Sequence, residues 1–167
     1  RGELEEALRI RREEELPVFE RLGDVRERAV TMSKIADILQ QQGKAEEALH
    51  ILTEEALPAV QRLQDVDLIA NLRYTCASLR LDRGGLEKGE AQVIFDELNE
   101  SFRLLTKLQR PDGIAAVGVL LGQVLAVAGH ADEALAVLDQ SAAAFEKLGR
   151  ADQAAQVRAL QETIRGR

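Results

Sequence analysis

Apolar residues return three or four positions apart along nearly the whole chain, the spacing that gathers them on one face of an α-helix. Met32, Ile35, Ala36 and Leu39 form one such stripe, which stops at Gly43; Ala48, Leu49 and Leu52 then open another. Gly118, Leu121, Gly122 and Leu125 lead in the same way to Gly129, with Ala134, Leu135 and Leu138 beyond it. Helical punctuation runs unbroken from Leu4 to Ile164 and leaves no place for a strand. With glycines as stops and Asp24, Asp65 and Asp112 as N-caps, the pattern predicts eight helices, at about 3–22, 25–42, 44–63, 66–83, 87–108, 113–128, 131–148 and 151–165. Connections this short make neighbouring helices antiparallel.

The stripes belong to a repeat. Arg21-Leu22-Gly23-Asp24 returns as Arg62-Leu63-Gln64-Asp65, as Lys107-Leu108-Gln109-Arg110 and as Lys147-Leu148-Gly149-Arg150, at intervals of 41, 45 and 40 residues. Gly2, Gly43, Gly85 and Gly129 punctuate the units between, 41, 42 and 44 residues apart. Glu6-Ala7-Leu8, Glu47-Ala48-Leu49 and Glu133-Ala134-Leu135 each follow one of these glycines by the same count. Each unit is therefore a pair of helices joined by a glycine turn. The chain divides into a half repeat, 1–23, three repeats, 24–64, 65–110 and 111–150, and a closing helix, 151–167, within one domain.

Pro17 and Pro58 fall inside helical patterns, where proline removes a hydrogen bond and crowds the preceding turn, so two matching kinks are expected. Arg103 and Ala143 hold the corresponding places later on. The unit with the 45-residue interval carries about four residues more than its neighbours, roughly one helical turn. Curvature is therefore expected to change along the stack.

The hairpins resemble the tetratricopeptide repeat, which places a large, large, small, large pattern before the turn glycine and a small residue after it. Met32, Ile35, Ala36 and Leu39 with Ala48, and Gly118, Leu121, Gly122 and Leu125 with Ala134, carry that likeness. In the middle unit Tyr74, Ala77, Ser78 and Leu81 precede Gly85, but Ala91 comes one place late and Gly89 intrudes. The units exceed the usual length of about 34 residues, so the chain looks most like the longer variety found in kinesin light chains and bacterial multidomain signalling proteins.

The resemblance implies an all-α, right-handed superhelix that binds another polypeptide in a groove lined by the first helix of each pair. Counted back from the turn glycines, the lining is Val30, Ser33, Asp37 and Gln40, then Leu72, Thr75, Leu79 and Asp82, then Ala116, Val119, Gln123 and Ala126. Ser33, Asp37, Gln40, Thr75, Leu79, Asp82, Val119 and Gln123 are the expected contacts. No lysine stands among them, so the lysine-and-asparagine clamp with which some members hold a C-terminal carboxylate is absent, and Asn71 is displaced from the place of the kinesin-light-chain asparagines.

Composition narrows the function further. A net charge of -7 repels phosphate backbones, which disfavours nucleic acid as a partner. The early arginines, Arg9, Arg11, Arg12, Arg21, Arg26 and Arg28, alternate with glutamates in the manner of a solvated helix face. Aromatic residues make up only 3% and tryptophan is missing, so the core must be built from Ala, Leu, Val and Ile in close-packed helices. The most apolar run, from Ile114 to Ala128, is too short to cross a bilayer. Cys76 is the single cysteine, which excludes an internal disulfide and suits a reducing, cytoplasmic setting.

No catalytic chemistry is legible. Cys76 needs a histidine partner, and His50 and His130 lie in other repeats at positions that read as exposed, so Cys76 is expected to be a buried structural thiol. No metal-spaced cluster, phosphate-binding loop or activated nucleophile appears, so the chain is expected to be no enzyme and to need no cofactor. Three functions remain open: a protein-interaction scaffold, a sensor module responding to a peptide or small ligand, and an oligomerisation element. Arg1 in place of Met suggests a piece of a longer protein. On that reading Leu4, Leu8, Ile10 and Phe19 are left uncovered on the first helix, which is expected to self-associate weakly, while 151–167 closes the other end as a polar cap.

Overall fold

The computed structural model describes residues 2–166; Arg1 and Arg167, the outer ends of the expected half repeat and cap, lie outside the described residues. Those residues form helices and turns and contain no strand. Helix α1 runs through Gly2–Ile10, Arg11–Glu15 and Leu16–Leu22 without leaving helical backbone. Helix α2 is Val25–Gln41, and α3 runs through Ala45–His50, Ile51–Ala56 and Leu57–Leu63. Helices α4 to α8 are Val66–Asp82, Ala91–Lys107, Pro111–Val127, Ala131–Lys147 and Ala151–Arg165. Asp24 and Asp65 cap α2 and α4, each carboxylate accepting from a backbone N–H three residues on at 3.0 Å. Asp112 does not cap. Arg110 takes that place, α6 begins two residues earlier than expected because Pro111 suits the first helical turn, and Asp112 pairs with Arg110 at 3.0 Å.

The repeat has a simple base unit. In α6 and α7 each helix has 17 residues, and three-residue connectors follow them, giving a module of 40. The earlier units are this module with insertions. Helix α3 holds one residue more than α7 between equivalent ends, Ala45 to Arg62 against Ala131 to Lys147. The surplus is absorbed as a π-helical turn, in which the Leu57 N–H reaches Leu52 O, five residues back. Helix α1 does the same with Leu16 and Arg11. In both cases the π turn ends just before the expected kink site, Pro17 or Pro58. Proline has no N–H to donate, and a widened turn clears its ring from the preceding carbonyls.

The middle unit instead carries its insertion in the turn, so α5 starts at Ala91 and not near 87. Gly84, at φ 75°, stops α4, and Gly89, at φ 81°, stands two residues before α5. Between them Gly85 donates to Arg80 O at 2.7 Å and accepts from Glu90 N–H at 2.8 Å. A side chain on Gly85 would put its Cβ 2.6 Å from Arg80 O, which is why the position must stay bare. Arg83 ties this loop down, bridging Glu46 of α3 at 2.6 Å and Glu90.

The chain forms two compact units, 1–94 and 95–167. In the first, Met32, Ile35 and Leu39 of α2 meet Leu49, Leu52 and Val60 of α3, with Leu68, Leu72, Cys76 and Leu79 of α4 in the same cluster. Cys76 is buried, as expected of a structural thiol. Helix α1 is better covered than the sequence implied: Leu8 is buried, and Leu4, Ile10 and Phe19 are half-buried. Its exposed apolar residues are Val18 and Leu22. In the second unit α7 packs between α6 and α8. Gln161, read as part of a polar cap, is buried there and donates to Asp139 Oδ1 at 2.6 Å and Leu135 O at 3.3 Å.

Gly122 is a tight packing point, but its neighbour is Leu138, one turn beyond Ala134. A Cβ on Gly122 would lie 2.6 Å from Leu138 Cγ. Gly122→Ala should therefore cost about 1–3 kcal/mol and Leu138→Ala about 2–5 kcal/mol. The double variant should cost clearly less than the two together, because the truncated leucine vacates the space, and denaturant melts of the four proteins would show full additivity if this contact is misassigned. The inter-repeat turns give a second expectation. Gln64 and Gln109 adopt φ 56° and 54° where Gly23 and Gly149 stand in the other units. Either Gln→Gly substitution should raise stability by up to about 1 kcal/mol, and an unchanged or lowered Tm would contradict it.

Candidate functional site

Equivalent positions in α2 and α4 are fixed by their capped starts, Val25 and Val66, which are 41 residues apart. By that register Val30, Ser33, Asp37 and Gln40 correspond to Asn71, Tyr74, Ser78 and Leu81. All eight are exposed or half-buried, as an open face requires. The expected set on α4 was therefore one residue out of step, because Gly84, two residues past the helix end like Gly43, is the true turn glycine and Gly85 belongs to the insertion. The correction matters most for Leu79. It is fully buried, together with Leu72, in the core with Leu39 and Met32, and cannot line a groove.

The other expected residues of the first unit remain at the surface. Ser33 is half-buried and Asp37 exposed on α2; on α4 Thr75 is half-buried and Asp82 exposed. Gln40 donates its side-chain amide to the Asp82 carboxylate, so α2 and α4 are joined side by side at this face. Arg26 and Asp65 join the same two elements near the opposite end at 2.9 Å. The Thr75 hydroxyl is turned inward along its own helix and donates to Asn71 O at 3.1 Å. In the second unit Val119 is half-buried and Gln123 exposed on α6.

Electrostatics distinguish Asp37 on this face. Its carboxylate reaches solvent, yet the surrounding protein desolvates it and raises its pKa above the ordinary aspartate value, an effect that the nearby Arg11 guanidinium only partly offsets. Burial, and secondarily the charge of Asp82, likewise raises the Tyr74 phenol. The sequence contained a signal for Asn71, Tyr74, Ser78 and Leu81: the Asp24-Val25 and Asp65-Val66 starts count the helix from its fixed end, whereas the glycines count across an insertion. His50 and His130 are both exposed, and Arg110–Asp112 and His130–Glu133 are surface pairs. Among the described residues no helix is long and apolar enough to cross a membrane.

Repeated antiparallel hairpins with this packing define an all-α fold of the tetratricopeptide-like kind. Solved structures share it along almost the whole chain. A kinesin-light-chain-like protein of Podosopora anserina with nearly identical TPR-like repeats is 15% identical, with a TM-score of 0.58 over 98% of this chain and 93% of its own. The MamA protein is 18% identical, with a TM-score of 0.56 over 98% of this chain and 83% of its own. No family model and no curated protein matches the sequence.

A pH dependence follows from Asp37. The folded state holds its proton more tightly than the unfolded chain does. Its contribution to stability is therefore fully present below the ordinary aspartate pKa and is lost as pH rises through the raised folded value. Asp37→Asn should raise Tm at pH 7 and change little at pH 3. A gain of the same size at both pH values would show that charge is not the cause.

Proposed function

We propose that the chain is a non-catalytic, protein-binding scaffold that holds a peptide segment against the open face of α2 and α4, and that the matching face of α6 serves the same purpose in its own unit. The observation that carries this reading is the polar surface formed by Ser33, Asp37 and Gln40 with Tyr74, Ser78 and Asp82, on two helices whose opposite sides form the buried core. Hydroxyl, amide and carboxylate groups set along parallel helices can satisfy the backbone and side chains of an extended peptide. Asp37 and Asp82 are its charged members, so the partner segment carries lysine or arginine. A desolvated carboxylate such as Asp37 gains most from an incoming cation. The lone buried thiol fits a reducing, cytoplasmic setting.

An array of lysine-bearing peptides followed by fluorescence anisotropy tests this. Asp37→Lys combined with Asp82→Lys should weaken the bound peptides by about tenfold or more, while Leu22→Ser on α1 should leave them unaffected. Equal affinity for the wild type and the doubly substituted protein would sink the assignment of this face.

A further inference from the structure

The second unit carries a separate cleft on its other side, between α5 and α7. Phe95, Asn99, Phe102 and Thr106 lie on one stripe of α5, and Ala136, Val137 and Gln140 face them from α7 across a cavity of about 430 Å³. Leu121 and Leu125 of α6 form its floor. A second cavity of about 490 Å³ shares Thr106 and Gln140 with the first and continues to Gln109, Ala143 and Lys147. Two of the four phenylalanines of the chain thus stand at one cleft. The α7 wall is low because it carries Ala136 and Ala143 where α3 carries His50 and Pro58.

The rim has a direction. Glu133 borders the cleft at the start of α7 and Lys147 borders it at the end. Among the described residues no carboxylate pairs with Lys147, whereas Arg103, the other cation on the rim, is held by Glu100 at 2.8 Å. Fourteen residues of helix separate Glu133 from Lys147, about 21 Å at 1.5 Å per residue. An extended segment of about six or seven residues spans that length. Side-chain amides and a hydroxyl, from Asn99, Thr106, Gln109 and Gln140, are spaced between the charges for backbone hydrogen bonds.

We infer that the α5–α7 cleft is a second peptide-binding surface, taking an extended segment with an aromatic or large aliphatic residue at its centre, a cationic residue beside Glu133 and an acidic residue beside Lys147. The charge order follows from complementarity with the rim, and the central residue enters the cavity between Phe95, Phe102 and the α6 leucines. This surface goes beyond the α2–α4 face and does not depend on it.

Two labelled heptapeptides, acetylated and amidated, provide the test: phenylalanine at the centre, lysines at one end and glutamates at the other, made in both chain orders. Anisotropy should show the wild type binding one order about tenfold more tightly than the other. Ala136→Arg, at an exposed position, should abolish binding, and Glu133→Lys with Lys147→Glu should invert the preferred order, with circular dichroism confirming that both variants are folded. Asp37→Lys with Asp82→Lys should leave these peptides bound as before, which separates this surface from the α2–α4 face. The inference is overturned if neither order binds saturably, if folded Ala136→Arg binds like the wild type, or if the charge exchange leaves the order unchanged. It is also overturned if Ala136→Arg alters sedimentation of the protein alone, which would make the cleft a contact between copies of the chain.

Discussion

Each hairpin depends on two helices approaching closely enough to share one layer of side chains. Small residues set that distance. Ala36 and Ala48 in the first complete hairpin, and Gly118, Gly122 and Ala134 in the last, are all buried. At Gly118 a Cβ would come within 2.8 Å of Ser141 Cβ, and Ser141 uses the same proximity to donate to Ala115 O at 2.7 Å. A hydroxyl buried at this depth needs an acceptor, and here the closely seated α6 backbone supplies it. The leucines then fill the flanking layers, and the faces turned away from the contact are left at the surface.

That contact explains where the chain tolerates extra residues. One residue inserted in a regular helix rotates everything beyond it by about 100°, which would turn the core stripe toward solvent. The π turns of α1 and α3 take up the added residue locally, and the stripe resumes, so Leu49 and Val60 both remain buried on either side of the turn in α3. The five-residue insertion of the middle unit goes into the connection between helices. There, glycines at positive φ and the Arg83 bridges hold the extra turn against the body of the first unit.

Much of this was legible in the residues. Helix number, helix order and the buried thiol follow from glycine spacing and apolar periodicity, because those are the features that fix an all-helical stack. The π turns were visible only as misplaced prolines, since a sequence shows that an α-helix is interrupted but not how its hydrogen bonds rearrange. The residues expected to line a groove lie at the surface on α2, whereas the count on α4 is one residue out of step with the helix, because Gly84 and Gly85 are adjacent and only the first has the left-handed backbone of a turn glycine. A shift of one residue moves a side chain by about 100° around a helix, enough to exchange the core residue Leu79 for the surface residue Ser78. The α5–α7 cleft was not legible at all. It arises from small residues on one helix facing aromatic ones on another, and no periodicity within a single helix reports that pairing.

The same one-residue correction reveals an uneven core. With Val66 aligned on Val25, the positions filled by Met32 and Leu39 in the first hairpin are taken by Arg73 and Arg80 in the next, while Cys76 and Ala77 keep the inner places of Ile35 and Ala36. Both arginines are half-buried, and Arg80 extends toward Glu90 at 3.6 Å. An apolar pair at these places would tolerate several seatings of the glycine-rich connection. Arg80, meeting the Glu90 carboxylate that Arg83 also binds, favours one seating over the others, at a desolvation cost that leaves little net gain in stability. The middle hairpin therefore gives up part of its hydrophobic core for definition of register, at the one place in the chain where an insertion makes register hardest to keep.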